Sequence, residues 1–198
     1  MSIISRIFLA GDHVCPWWLA YTFDNPLRRL IHNQEKMLKK FIKEGDTVID
    51  IGCGMGYFSI GMAKMAGAKG RVISVDLQEK MLERVRLRAQ QKGLLSRITL
   101  HKCSSDKLGV SEQADFALGF WMVHEVRNKD AFFNEIVAFL KPGAHFLLVE
   151  PMIHVKEDYF RKITDIATKT GLKSYSEEKI GLSRGVYRGR YIGDVLNN

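Results

Sequence analysis

The stretch Val48-Ile49-Asp50-Ile51-Gly52-Cys53-Gly54-Met55-Gly56 constrains this chain more than any other. Val48, Ile49 and Ile51 suit a central strand buried on both faces. Three alternate glycines then strip the following turn of side chains, which frees its backbone to take positive φ and to be approached closely by a ligand. The apolar-periodic run from Tyr57 to Met65 reads as a helix whose N-terminus faces the same turn. A strand, a glycine turn and a helix in that order make a nucleotide-type cofactor site.

The spacing argues against a dinucleotide. That fingerprint needs a third glycine five positions after the first, for close helix–strand packing under a pyrophosphate. Here that position is Tyr57, and the third glycine, Gly56, stands four after Gly52. A carboxylate, Asp50, precedes the turn; it would repel a pyrophosphate and attract an ammonium. A second carboxylate, Asp76, closes the apolar run Val72-Ile73-Ser74-Val75, 20 residues beyond Gly56, and is spaced to bond ribose hydroxyls. An ammonium at one end and a ribose at the other describe S-adenosylmethionine.

Val48 to Ile60 with Val72 to Leu82 resembles the first two motifs of the class I S-adenosylmethionine-dependent methyltransferases, most closely their small-molecule, type 11-like branch. The resemblance continues through Ala114 to Val126 and through Phe139-Leu140-Lys141-Pro142-Gly143-Ala144-His145-Phe146, in family order. It implies a doubly wound, Rossmann-like α/β fold. In that fold a seven-stranded mixed sheet carries helices on both faces and its last strand runs antiparallel. It also implies a methyltransferase domain over 45–198, preceded by an N-terminal helical cap over 1–44. The pattern itself places strands at about 47–52, 71–76, 97–103, 114–120 and 145–150, and helices at 57–66, 78–92, 130–140 and 156–170. A terminal hairpin follows at about 172–179 and 185–192, and Gly93 and Gly143 read as helix stops.

By resemblance, Asp50 takes the methionine ammonium, Gly52, Gly54 and Gly56 make room for the ligand, and Cys53 meets it through its backbone. Asp76 takes the ribose hydroxyls, and Leu77 and Met81 lie toward the adenine. Ser104 stands where an acid usually meets the adenine amino group, so Ser104, Ser105 and Asp106 are the candidates there. Phe120 and Trp121 are placed to pack near the transferable methyl. His124 is the candidate general base, with Glu125 to orient or replace it, and Glu150 lies close by topology. His13, Trp17, Tyr21 and Arg28 are candidates for closing the substrate side. No metal site is expected.

Composition sets limits. At 198 residues, with 46% hydrophobic and 26% charged side chains, the chain suits one soluble domain. No apolar run reaches the ~20 residues of a membrane span. Cysteines at 15, 53 and 103 lack zinc-type spacing and suit reduced thiols in the cytoplasm. They give little support to arsenic chemistry. The net charge of +8 keeps RNA open as an acceptor, but the basic clusters fall where solvated helix faces are the default, so a small-molecule acceptor is favoured. The alternatives are an RNA methyltransferase and a non-catalytic S-adenosylmethionine-binding protein.

Overall fold

The computed structural model describes residues 31–153 and 155–190. Its elements are α1 (Gln34–Leu38), β1 (Thr47–Ile51), α2 (Tyr57–Met65), β2 (Arg71–Asp76), α3 (Glu79–Gln91), β3 (Ile98–Lys102), β4 (Ala114–Phe120), α4 (Lys129–Phe139), β5 (Leu140–Pro151), α5 (Glu157–Lys169), β6 (Leu172–Ile180) and β7 (Ser183–Arg190). One-turn 3-10 helices cover Leu95–Arg97 and Val123–Glu125.

Among the described residues the strands form one seven-stranded sheet in the order β3-β2-β1-β4-β5-β7-β6. The pairs from β3 to β5 are parallel, and β7 runs antiparallel to both β5 and β6. Parallel neighbours require crossovers, and the helices that supply them cover both faces. On one face α4 and α5 bury Phe133, Ile136, Phe160 and Ile163 against Ile49, Ile73, Phe146 and Leu148. On the other, α1, α2 and α3 bury Leu38, Phe58, Met62 and Val85 against Val48, Val72, Phe116 and Leu118. The expected fold class is the one observed.

Two local expectations are corrected. The strand expected at 145–150 begins at Leu140, because Leu140 pairs with Ala114 across a bulge before the regular register starts at His145↔Phe116. Pro and Gly inside a strand mark such an irregularity. For the same reason Gly143 does not stop the preceding helix. That helix ends at Phe139, where Leu140 turns extended at φ −69° and ψ 130°. Gly93 does follow the end of α3, at φ 64°. The hairpin strands stand at Leu172–Ile180 and Ser183–Arg190, so the expected positions 191–192 lie outside the described residues.

The core's largest investment is aromatic. Phe133 is fully buried, with ring centroids 5.3 Å from Phe132 and 6.3 Å from Phe146. Truncation to Ala should cost about 3–5 kcal/mol, read as a lower urea midpoint with an unchanged slope. A loss below ~1 kcal/mol would mean that α4 does not pack as described.

Candidate functional site

The carboxyl ends of β1 and β2 build the site. Ile51 pairs with Val75, so the glycine turn leaves β1 directly beside Asp76. The ladder runs on past the strand ends: the Cys53 N–H donates to the Val75 carbonyl at 3.0 Å, and the Cys103 N–H to the Asp76 carbonyl at 3.1 Å. Asp76 Oδ2 then accepts from the Gly54 N–H, and Oδ1 from the Gln78 N–H, each at 2.9 Å. Burial pushes the Asp76 carboxyl above its ordinary range, while these amide bonds and the one at Leu77 pull it back.

Two of the glycines are needed for different reasons. Gly54 sits at φ 52°, and a Cβ there would meet nothing within 4 Å. Its missing side chain opens toward the cavity. Gly56 sits at φ 80° as the N-cap of α2, and its Cβ would stand 3.0 Å from Val85 of α3. Its missing side chain lets two helices close.

A cavity of about 430 Å³ opens over this edge. Ile51, Gly52 and Gly54 form its base; Asp76, Leu77, Gln78 and Met81 form one wall. The loop Cys103–Leu108 closes one side, and Trp121, Met122, Glu125, Val126, Arg127, Asn128, Phe132 and Glu135 form the opposite wall. Glu135 of α4 fixes that loop by accepting from the Leu108 and Gly109 N–H groups at 2.9 and 2.8 Å.

Of the residues expected from sequence, Gly52, Gly54, Asp76, Leu77, Met81, Ser104, Ser105, Asp106 and Glu125 line the cavity. Asp50, Cys53, Gly56, Phe120 and His124 do not. Strand parity explains two of these. Phe120 continues the row of Phe116 and Leu118, which faces α2, and packs 4.5 Å from Phe58. Asp50 shares the face of Val48; its Oδ2 accepts from Ser59 Oγ at 2.5 Å, and Ser59 accepts from Ser74 Oγ at 2.9 Å. Cys53 is buried. Burial first, then the Asp76 charge, pushes the Cys103 thiol up to about 11, and the Cys53 thiol is also raised. Both stay protonated at neutral pH, and Cys15 lies outside the described residues, as do His13, Trp17, Tyr21 and Arg28.

Trp121 is the one non-glycine residue at positive φ among the described residues, at 62°. A bulky residue there carries strain of about 1–3 kcal/mol. It is held by its N–H to the Val149 carbonyl at 2.7 Å and by its indole Nε1–H to Ser183 Oγ at 2.8 Å. The chain leaves β4 at this point, and Met122 and Glu125 to Asn128 beyond it line the cavity. Behind that wall, His124 Nδ1 lies 2.6 Å from Glu150 Oε2, and the His124 N–H donates to Glu150 Oε1 at 2.9 Å. Burial of the ring disfavours its charge, but the bond and charge of Glu150 together with the charge of Glu125 outweigh this and raise the His124 pKa.

The sequence reading passed over Gln78, Arg127, Asn128, Phe132 and Glu135. Asn128 alone left a local signal, since its Oδ1 caps α4 by accepting from the Ala131 N–H at 3.0 Å. The others reach the cavity through tertiary packing.

The model of a family described as "Methyltransferase domain" matches residues 42–183. A demethylmenaquinone methyltransferase of Lactobacillus johnsonii is 29% identical over 148 residues, or 70% of this chain, and the chain spans 60% of that relative. The crystal structure of an S-adenosylmethionine-dependent methyltransferase from Aquifex aeolicus superposes with a TM-score of 0.81 at 25% identity, covering 90% of this chain and 100% of that one. Aeropyrum pernix fibrillarin, crystallised with natively bound S-adenosyl-L-methionine, shares the fold alone, with a TM-score of 0.60 at 15% identity over 74% of this chain and 61% of that one.

The two glycines separate stability from ligand access. Gly54→Ala should lose only the left-handed backbone cost of about 1–2 kcal/mol, whereas Gly56→Ala should lose more, because its Cβ also crowds Val85. Urea denaturation of both variants checks the order; equal losses would mean that α2 and α3 do not meet at Gly56.

Proposed function

The chain belongs to the class I S-adenosylmethionine-dependent methyltransferases, and we propose that it moves the cofactor's methyl group to a small-molecule acceptor by in-line displacement. The observation that carries this reading is the Asp76 carboxylate, fixed by two amides beside the open backbone of Gly54 at the base of a cavity. Each carboxylate oxygen has a further lone pair for a ribose hydroxyl. Gly52 and Gly54 would admit the methionine part, Leu77 and Met81 would flank the adenine, and Ser104, Ser105 and Asp106 would reach its amino group. Asp50 would act on the ammonium only from behind the turn, through its charge, since its side chain faces Ser59.

When bound, the cofactor supplies a methyl group on a sulfonium, which is already a good leaving group. The protein's share is alignment and exclusion of water, worth about 7–11 kcal/mol where reactants are well oriented. Trp121, Met122, Val126 and Phe132 form the apolar part of that enclosure. A small-molecule acceptor is supported by the Lactobacillus relative, which is named for demethylmenaquinone. Residues 1–44 are proposed to cap the acceptor side. In support, His32, near the described end of that segment, packs 5.1 Å from Trp121, a residue of the cavity lining. Among the described residues no helix is long and apolar enough to cross a membrane, and the free thiols of Cys53 and Cys103 support a reducing, cytoplasmic setting.

Titration calorimetry tests the reading. Wild type should bind S-adenosylmethionine and not NADH. Asp76→Ala should lose tenfold or more in affinity, since a hydrogen bond to a charged group contributes about 1.5–3 kcal/mol. No binding by folded wild type would overturn it. The pH dependence follows from Asp76: the ionised form accepts the hydroxyls, and its pKa is raised by burial. Affinity should therefore fall on acidification while still above the ordinary Asp value of 3.8, and Asp76→Ala should abolish that dependence.

A further inference from the structure

His124 is the obvious base by sequence, but it does not line the cavity; Glu125 does. The imidazole stands behind Glu125, with Nε2 3.9 Å from Glu125 Oε1. Its other nitrogen is taken by Glu150, whose side chain is wholly buried. Both oxygens of that one carboxylate hold the same residue, Oε1 its backbone N–H and Oε2 its ring. Glu150 extends the β5 row of Phe146 and Leu148, so strand parity aims it at this point.

The short helix that carries His124 and Glu125 is also tied from the other elements packed on it. From α4, Lys129 Nζ donates to the Val126 carbonyl at 2.6 Å and to the His124 carbonyl at 3.5 Å. From α5, the Tyr159 hydroxyl donates to the His124 carbonyl at 3.3 Å. Among the described residues, the charged groups that act on the ring include Glu150 and Glu125, which favour its cation, and Lys129, which opposes it.

We propose that Glu150 and His124 are positioning residues that hold the Glu125 carboxylate on the cavity wall, where it accepts the proton given up by the methyl acceptor. This rests on the methyltransferase reading. In the transfer, a lone pair of the acceptor forms the bond to the methyl carbon, and the carbon–sulfur pair returns to sulfur. The acceptor's proton passes to Glu125. A sulfonium and a carboxylate are consumed, and a neutral thioether and a carboxylic acid remain, so no net charge is created in a partly dry cavity. The buried Glu150 supports the His124 imidazolium, and that cation in turn keeps Glu125 ionised until the proton arrives.

Nuclear magnetic resonance of isotopically labelled full-length protein tests the arrangement without an acceptor. His124 ring signals are assigned with His124→Gln, and the Glu125 carboxyl carbon with Glu125→Gln. In wild type, Nδ1 should carry a proton, the ring should titrate above 6.5, and Glu125 should be ionised at pH 7. Glu150→Gln should lower the ring midpoint and raise that of Glu125; Glu150→Asp should restore part of both shifts. Should Glu150→Gln fail to fold, Glu125→Gln gives the same reading from the other side, lowering the ring midpoint with Nδ1 still protonated. An Nε2-protonated neutral ring, a midpoint indifferent to both substitutions, or a protonated Glu125 at pH 7 would overturn the proposal. S-adenosylmethionine binding by wild type is read separately, so loss of the methyltransferase reading and loss of this one are distinguishable.

Discussion

The site depends on one clasp, the Asp76 carboxylate bonded to the Gly54 amide across the gap between two parallel strands. It exists because β1 and β2 pair in register to their ends, Ile51 against Val75. The glycine turn and the acid are thereby neighbours in space although 22 residues separate them along the chain. The clasp has two consequences. It ties down a turn in which every second residue is glycine, and it presents a buried carboxylate that, among the described residues, accepts from the Gly54 and Gln78 amides. Such a group is costly to ionise in isolation, which is why burial raises its pKa. A ligand that donates two hydroxyls to it relieves part of that cost.

Strand parity then sets which side chains of β1, β4 and β5 turn toward the cavity side of the sheet. Ile49 and Ile51 face the α4–α5 side and Val48 faces the other, so Ile51 reaches the cavity while Asp50 turns toward Ser59. On β4 the same alternation removes Phe120 from the cavity, and the strained turn at Trp121 restores access for the residues after it. On β5 it aims Glu150 at His124. Parity thus accounts for Asp50 beside the turn and Glu150 behind His124, whereas Asp76, of the same parity as Asp50, reaches the cavity because it stands at the very end of β2.

Much of this was legible in the amino-acid sequence, and the exceptions have physical causes. β2, β4 and the helices of the core were readable because both faces are buried and their apolar runs are bounded by glycine or by caps. Asp76 and Gly54 were readable because their spacing follows from strand pairing and a fixed turn. The start of β5 was not, since Lys141-Pro142-Gly143 carries the composition of a loop while its flanks pair across a bulge. The inward placing of Glu125 rather than His124 was not readable either. It turns on a positive φ at a tryptophan, for which local sequence gives no reason, and on a hydrogen bond to Ser183, 62 residues away. Glu135 and Phe132 reach the cavity only because α4 crosses it.

The most direct test is a crystal structure with S-adenosylhomocysteine bound. The account predicts both ribose hydroxyls on Asp76, the adenine between Leu77, Met81 and the Ser104–Asp106 loop, and the sulfur turned toward the wall of Trp121 and Glu125. Ligand density elsewhere, or a ribose that does not touch Asp76, would contradict it.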